Sequence, residues 1–173
     1  MLFAYDTECS LRAAVTLVNT AFATTADVDT WYAHHEYTGR RDRDAAELAA
    51  LNALRPALRD LLTSDRDRAA TLVNDLLAQA PASPRLVRHG DLDWHVHAIA
   101  DNAPLAARVT VETAMAMIDL VRADEVSRLS QCTDDTCDNL VIDLTRNRSR
   151  RFCSTACANR NAVAAYRARA KKG

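Results

Sequence analysis

The sequence predicts a mainly α protein with one small β-hairpin, an α+β fold, in which a helical N-terminal domain precedes a small cysteine-rich module. Three observations support this prediction. Ala is abundant, aromatic residues are 5% of the 173 residues, and Gly and Pro number only three and four, a composition that favours helix over sheet. Apolar residues recur at helical spacing through most of the first 125 positions. Four of the five cysteines lie within residues 132–157.

The first two helices are expected before residue 40. Residues 10–24 carry apolar side chains at helical spacing, and Ser10 can cap their N-terminal end. Asn19 lies in the middle of that helix, where it either bonds to a neighbouring segment or faces solvent. A shorter helix follows over about residues 27–37.

Pro56 lies inside the third helical pattern, which covers residues 42–63. A proline there removes one helical hydrogen bond, so the sequence predicts either a kink or a junction between two shorter helices. A fourth helix is expected to start at Ser64 or Asp65 and to end before Pro81.

The period of the pattern changes after the fourth helix. Residues 85–88 and 94–99 predict two antiparallel strands joined near Gly90. Pro104 then suits the first turn of a long helix that ends near Glu125. This helix is apolar around most of its circumference, so we expect it to be the central helix of the bundle.

Histidines in the predicted hairpin raise the question of a second site. His95 and His97 share one face of the second strand, and His89 precedes it. No fourth metal ligand stands at a useful spacing, so exposed strand histidines are the simpler interpretation. A small-ligand pocket beside the hairpin, involving Trp94, is an alternative.

The C-terminal cysteines form two close pairs. Four residues separate Cys132 from Cys137, three separate Cys153 from Cys157, and fifteen lie between the pairs. This spacing is typical of a tetrahedral zinc site. Four thiolates fill the coordination sphere, so the sequence predicts one structural Zn²⁺. The remaining Cys9 is expected to be a small apolar residue of the interior.

The module around the cysteines is expected to be a treble-clef-like finger. Residues 140–145 and 151–152 are interpreted as the two short strands of a hairpin, with its turn near Asn147, and residues 129–131 as a short joint to the preceding helix. The second cysteine pair opens a helix over about residues 155–171, which Ser154 can cap. That helix carries an apolar stripe formed by Val163, Tyr166 and Ala170. The stripe is expected to pack on the N-terminal domain or on the hairpin.

Charge is distributed unevenly along the chain. Residues 144–173 hold nine of the 22 basic residues and none of the 23 acidic ones, which leaves 13 basic and 23 acidic residues, a net of −10, in residues 1–143. The asymmetry indicates that the basic end meets a polyanion such as DNA, unless it is simply a solvated tail. For Arg160, pairing with an acidic residue is the alternative. The predicted DNA contacts are Arg146, Arg148, Arg150, Arg160, Arg167 and Lys171.

Residues around the second cysteine pair resemble the CGNR zinc-finger family of bacteria. The resemblance lies in Arg150–Cys153, in Cys157–Arg160 and in the upstream segment Asp143–Asn147. Ala158 stands where the family has Gly, and Phe152 where it usually has Trp. Neither departure removes a metal ligand, and Ala at position 158 argues for a helical backbone there.

The order of elements further upstream resembles the helical ABATE domain that accompanies this finger. The chain is accordingly divided into an ABATE-like domain, residues 1–125, and a CGNR-like finger, residues 126–173. Members are regarded as stress-induced transcription regulators. The resemblance therefore implies a zinc-dependent DNA-binding regulator whose N-terminal domain senses a signal or dimerises. The alternative is a finger that docks a protein partner and does not bind DNA.

Several other classes of protein are not expected. The sequence has no run of eighteen consecutive apolar residues, so we expect no membrane span. No secretory signal is visible either, so we expect a cytoplasmic protein. The sequence shows no nucleophile with a histidine partner, no Gly-rich phosphate loop and no evident carboxylate pair, so we do not expect an enzyme. A homodimer and a small-molecule effector are compatible with a regulator, but no residue identifies either.

Overall fold

The computed structural model describes residues 3–88 and 94–170, without the side chain of Ala168. Of the sequence predictions, His89, the hairpin joint at Gly90 and Lys171 lie outside these residues. The described elements, in chain order, are α1 (Tyr5–Asn19), α2 (Thr25–His34), α3 (Ala45–Thr63), α4 (Arg66–Gln79), β1 (Arg85–Val87), β2 (His95–His97), α5 (Leu105–Arg122), a 3₁₀ turn (Val126–Arg128), β3 (Leu129–Gln131), β4 (Leu140–Ile142) and α6 (Thr155–Ala170). The predicted mainly α fold with small antiparallel sheets is confirmed.

Helix α5 is the central helix of the N-terminal domain, as its apolar circumference predicts. It packs on α1, α3 and α4, and the side chains of Met117 and Leu120 are fully buried. The same core takes in leucines from α1 and α3. Burial of a leucine-sized side chain contributes about 1.5–3 kcal/mol, so the core around α5 holds the helices together.

Local capping sets the starts of three helices. Thr24 and Asp27 form a reciprocal capping box at α2, in which each side chain accepts a backbone N–H that the helix leaves unpaired. Asp44 caps α3 and Asp65 caps α4, each by accepting one backbone N–H of the first helical turn. Of these two caps, Asp65 lies where the sequence predicts the start of a helix.

Helix α1 starts earlier than predicted, and α3 is a single helix, which excludes the predicted junction at Pro56. Helix α1 begins at Tyr5, so Ser10 lies inside it, and the buried Thr7 and Glu8 extend its packed face toward the N-terminus. Helix α3 continues through Pro56 as one element. The buried Leu58 lies beyond the proline and packs in the same core as the leucines before it, which favours one continuous helix.

Each sheet is a two-stranded antiparallel pair. In the first, Arg85 faces His97 and Val87 faces His95, which confirms the predicted hairpin. In the second, β4 pairs with β3, whereas the sequence prediction paired it with residues 151–152. All three residues of β4 are buried, and β3 lies in the segment that was expected to be only a joint.

Strand β4 also attaches the cysteine-rich module to the helical domain. Leu140 and Ile142 belong to the same core as α1 and α5. Asn19 donates its side-chain N–H to the carbonyl of Leu140 at 2.9 Å and accepts the backbone N–H of Leu140 at 2.7 Å. Of the two alternatives for Asn19, bonding to a neighbouring segment is therefore the correct one.

Helix α6 does not pack as predicted. Its apolar stripe is exposed: Val163 is 48% exposed and Tyr166 is 68% exposed, and Ala170 is exposed as well. The cluster around Cys157 fixes the start of the helix, whereas no described element covers the stripe. Helical spacing shows which side chains share a face, but it does not show what covers that face. Within the described residues, no helix is both long and apolar enough to cross a membrane.

Candidate zinc centre and basic surface

The four cysteines of the two predicted pairs come together at one point. Their Sγ atoms all lie within 4.8 Å of one another. Cys153 Sγ lies 3.6 Å from the Sγ atoms of both Cys137 and Cys157. Tetrahedral zinc with Zn–S bonds of about 2.3 Å places its sulfur ligands about 3.8 Å apart. The sulfur cluster of Cys132, Cys137, Cys153 and Cys157 therefore fits a single zinc ion.

Short backbone hydrogen bonds place the first two sulfurs. The N–H of Cys132 bonds the carbonyl of Asn139 at 2.8 Å, directly after β3, and the N–H of Cys137 bonds the carbonyl of Asp134 at 2.8 Å. These contacts fold residues 132–139 into a tight turn. The first cysteine pair is thus held by local backbone geometry between β3 and β4.

The second pair lies at the start of α6. Ser154 accepts the backbone N–H of Cys157 at 3.3 Å, so its hydroxyl caps the helix, as the sequence suggests. Ala158 is helical, which agrees with the expectation for alanine at that position. The helix N-terminus carries a partial positive charge that favours the negative thiolates beside it.

Two aspartates organise the loops around the cysteines in the same way. Asp134 accepts the N–H and the hydroxyl of Thr136 at 3.0 and 2.7 Å. Asp143 accepts the N–H of Thr145 at 2.9 Å and that of Arg150 at 2.7 Å. Each aspartate therefore closes a turn with the threonine two residues later.

The pKa values of both aspartates reflect these contacts. Hydrogen bonds from Thr136, with a smaller contribution from Arg160, lower the pKa of Asp134 to about 2. Burial acts to raise the pKa of Asp143, but the hydrogen bonds from Thr145 and Arg150 outweigh it and lower the pKa. Both side chains are therefore carboxylates at neutral pH.

Two of the arginines predicted to contact DNA form ion pairs within the protein. Arg160 lies 2.8 Å from Asp134 and 3.1 Å from the sulfur of Cys157, so the acid-pairing alternative for Arg160 is observed. Arg148 lies 2.6 Å from Glu125. These contacts hold the finger together and leave both guanidinium groups only partly available to a ligand.

Other arginines of the finger are exposed and make no side-chain hydrogen bond or ion pair within residues 3–88 and 94–170. We call this set the basic surface: Arg146, Arg150, Arg151, Arg167 and Arg169. It includes three of the predicted contacts, Arg146, Arg150 and Arg167, and two arginines that were not predicted, Arg151 and Arg169.

Two shallow grooves border the basic surface. Arg150 and Arg151 line one of about 340 Å³ together with the first turn of α6. Arg167 lines another, of about 560 Å³, with Asn159 and Val163. The basic side chains therefore lie at both ends of the same helix.

The hairpin histidines do not form a second metal centre within the described residues. The Nε2 atoms of His95 and His97 are 3.1 Å apart, and Nδ1 of His97 is 3.2 Å from Asp101. In the described ranges, the cysteine cluster is the only group of three or more side chains arranged to hold a metal. Trp94 is 63% exposed and does not line the cavity beside the hairpin.

A pocket beside the hairpin was one of the alternatives that the sequence left open, but its lining was predicted through Trp94 and not through Glu112. Glu112 is one of the few charged residues of the largely apolar central helix, with Arg108 and Asp119, and contributes to the cavity wall. Burial raises its pKa to about 7. A carboxyl group on the apolar face of a central helix was the available sign of a polar cavity.

The fold and the sulfur cluster define a class of protein in which a helical domain carries a structural four-cysteine zinc finger. A family comparison matches residues 11–124 to ABATE, described as "Putative stress-induced transcription regulator", and residues 128–170 to the CGNR zinc finger. The first match spans about two thirds of the chain, so the chain belongs to the ABATE family. The resemblances seen in the sequence are thereby confirmed. No curated protein matches the chain.

The finger match and the sulfur cluster together support one structural zinc ion. Four sulfur ligands leave no open coordination position, so the ion stabilises the fold and does not act as a Lewis acid on a substrate.

Proposed function

We propose that the protein is a zinc-dependent transcription regulator that binds DNA through the basic surface of its finger. The observation that carries this proposal is the set of exposed arginines whose side chains form no hydrogen bond or ion pair with the described residues. Guanidinium groups pair readily with phosphate oxygens. Arginines not engaged by the protein's own carboxylates are therefore available for a nucleic-acid backbone.

The charge of the rest of the chain supports a contact restricted to the finger. Residues 1–143 have a net charge of −10, and residues 144–173 have a net charge of +9. The acidic part repels a DNA duplex, whereas each phosphate neutralised by the finger releases a condensed counterion. The distribution of charge thus orients the protein with α6 toward DNA.

The geometry of α6 is compatible with this contact. The helix has 16 residues and is therefore about 24 Å long. Its exposed face is not occupied by another described element, and a major groove about 12 Å wide accepts one α-helix. Asn159, which is exposed near the start of the helix, is the candidate for a base contact.

Zinc has a positioning role in this proposal. The cysteine cluster joins the loop that carries Arg150 and Arg151 to the helix that carries Arg167. Zinc binding therefore fixes the arginines of the loop and of the helix relative to each other, which reduces the entropy lost when they engage DNA.

Fluorescence anisotropy with a labelled random duplex tests the proposal. We expect the zinc-loaded triple variant Arg150→Ala, Arg151→Ala, Arg167→Ala to bind at least about tenfold more weakly than wild type, because three phosphate contacts are lost. Arg122→Ala is the matched control, since Arg122 is exposed at the end of α5. Equal affinity of the triple variant and wild type, with zinc content unchanged, would contradict the proposal.

The exposed Val163 and Tyr166 favour a second candidate, a finger that docks a protein partner. Charge reversal by Arg167→Glu separates the two functions. Loss of DNA affinity supports the regulator, whereas retained affinity with a changed molar mass in light scattering supports docking.

We further propose that the protein has no catalytic role, that it acts in the cytoplasm, and that it can form a homodimer. The first two statements rest on the regulator family and on the absence of a catalytic arrangement in the sequence, and the third on the frequent dimerisation of DNA-binding regulators.

A further inference from the structure

A small, partly open cavity lies in the helical domain, apart from the cysteine cluster. It is lined by residues from the start of α1, the segment between α2 and α3, β2 and α5, and has a volume of about 100 Å³. One buried water needs only about 10–15 Å³ measured in this way. The cavity therefore has room for a ligand of several heavy atoms.

The inner wall of the cavity carries buried polar atoms that lack hydrogen-bond partners in the described residues, the hydroxyl of Tyr37 and Nε2 of His35. The Tyr37 hydroxyl does not complete a hydrogen bond with Glu112, although the two groups are close enough for each to shift the pKa of the other. Glu112 lies beside Tyr37, and burial raises its pKa to about 7. Buried polar groups usually have partners, so these atoms suggest that a ligand completes them.

The ring of Tyr37 is fixed in place. It stacks on Trp31 with ring centroids 5.0 Å apart, and Trp31 is itself buried and donates its indole N–H to the carbonyl of Ala13 at 3.2 Å. Because the ring is already held in one orientation, its hydroxyl loses little conformational entropy when a ligand binds.

The charges around the cavity are mainly negative. Four carboxyl groups line it, those of Asp6, Glu36, Asp101 and Glu112. The guanidinium group of Arg108 also lines it, donates to the backbone carbonyls of residues 38, 40 and 103, and offsets part of the negative charge, since it acts to lower the pKa of Glu112. Burial lowers the pKa of His35 to about 4, so this ring is neutral. The surroundings thus favour a cation over an anion.

We propose that the cavity binds a small organic cation, a primary ammonium or a guanidinium group, with Glu112 and the Tyr37 hydroxyl as its direct partners. The carboxylate supplies the charge-assisted hydrogen bond, and the Tyr37 hydroxyl oxygen can accept a second N–H of the cation. A metal ion is the poorer fit, because the described residues of this cavity do not form a three-ligand group.

The cavity lies next to the boundary between the helical domain and the finger. It shares Tyr5, Cys9 and Glu36 with a groove of about 550 Å³ that extends to Leu140 and Arg150. An occupant would therefore lie near the contacts that attach the finger to α1. Binding itself does not depend on the proposed DNA contact and is measured without DNA.

Isothermal titration calorimetry with the full zinc-loaded chain tests the proposal. The probes are propylammonium and methylguanidinium, with propionate and propionamide as anionic and neutral probes of similar size. We expect saturable binding of at least one cation and a higher melting temperature in its presence. Glu112→Gln should weaken binding at least about tenfold, and Tyr37→Phe should weaken it severalfold.

Asp75→Asn is the matched control, because Asp75 is an exposed carboxylate on α4 outside the cavity. Its affinity for the probes should equal that of wild type. The proposal is overturned if neither cation binds below about 10 mM, if propionate binds as tightly, or if Glu112→Gln binds like wild type. Saturation by Mg²⁺ without competition from the ammonium probes would also overturn it.

Discussion

A few polar side chains determine how the finger is built and attached. Asp134 and Asp143 close the two loops of the finger through bonds to the threonines that follow them. Asn19 joins α1 to β4 through both polar groups of one backbone residue. Their types are visible in the sequence, but their partners are not, because the Asn19 contact spans 121 residues.

Asn19→Ala tests the attachment of the finger to α1. Leu140 is 1% exposed, so its backbone N–H and carbonyl would lose partners that water cannot easily replace. We expect the free energy of unfolding to fall by about 2–3 kcal/mol, measured by urea denaturation. Asn74→Ala, at an exposed position of α4, should change it by less than about 0.5 kcal/mol. Equal effects of the two substitutions would refute the role of Asn19.

Glu112→Gln tests the electrostatic cost of the polar cavity. The pKa of Glu112 is raised from 4.5 to about 7 by burial, against the charge of Arg108 and with a small contribution from Asp101. The folded protein favours the protonated form of this carboxyl group. Its contribution to the free energy of unfolding is therefore fully present below pH 4.5 and is lost as the pH rises through 7. The variant, which cannot ionise there, should gain up to about 3 kcal/mol relative to wild type above pH 7.

The measurement is urea denaturation of both proteins at pH 5 and at pH 8. Burial raises the pKa of Tyr37, which faces the same carboxyl group, well above its ordinary value. Tyr37 therefore keeps its proton at both pH values, and the difference between variant and wild type reports Glu112. A difference that does not grow between pH 5 and pH 8 would show that the carboxyl group is not buried as described.

At the scale of elements, the helices were predictable and the pairing of β4 was not. Amphipathic spacing and capping residues are local, so α4 and α5 can be located from sequence alone. Strands of three residues carry little periodicity, and their pairing depends on distant segments. The prediction therefore placed β4 correctly but paired it with residues 151–152 in place of β3. The position of α6 was predictable, whereas the exposure of its apolar stripe was not.

A matched pair of valines tests the exposure of α6. Val163 on α6 is 48% exposed, whereas Val73 on α4 is 2% exposed. Val163→Ala should change the free energy of unfolding by less than about 0.5 kcal/mol. Val73→Ala should reduce it by about 2 kcal/mol through lost burial and a residual cavity. A cost at Val163 as large as that at Val73 would mean that α6 packs against another surface.

At the scale of the whole molecule, the helical domain and the finger share part of one core. Leu129, Leu140 and Ile142 pack with the residues of α1 and α5, and Arg59 donates to the carbonyl of Asp138 at 2.9 Å. The four metal ligands were predictable, because close cysteine pairs form a local pattern. The partners of Arg148 and Arg160 were not, since they depend on how the finger folds around Glu125 and Asp134.

Removal of zinc should therefore destabilise more than the finger. Structural zinc contributes on the order of 10–16 kcal/mol of binding energy in small fingers. Because the finger shares core residues with the helical domain, unfolding of the finger should also weaken the packing of that domain. We expect one zinc per chain by atomic absorption, and a lower melting temperature of the whole chain after chelation. Cys153→Ser should lose the metal, whereas Cys9→Ser should retain it because Cys9 lies outside the cluster. Retention of stoichiometric zinc by Cys153→Ser would contradict the assigned centre.

The proposal that the basic surface contacts DNA phosphates is tested most directly by the salt dependence of DNA binding. Each phosphate contact contributes about −0.9 to the slope of log affinity against log salt concentration. The five arginines of the basic surface therefore predict a slope of about −4 to −5 for the zinc-loaded protein on a random duplex. The Arg150→Ala, Arg151→Ala, Arg167→Ala variant should give a slope of about −2. Absence of binding at about 50 mM salt, in protein shown to hold one zinc per chain, would contradict DNA binding and favour a protein partner for the finger.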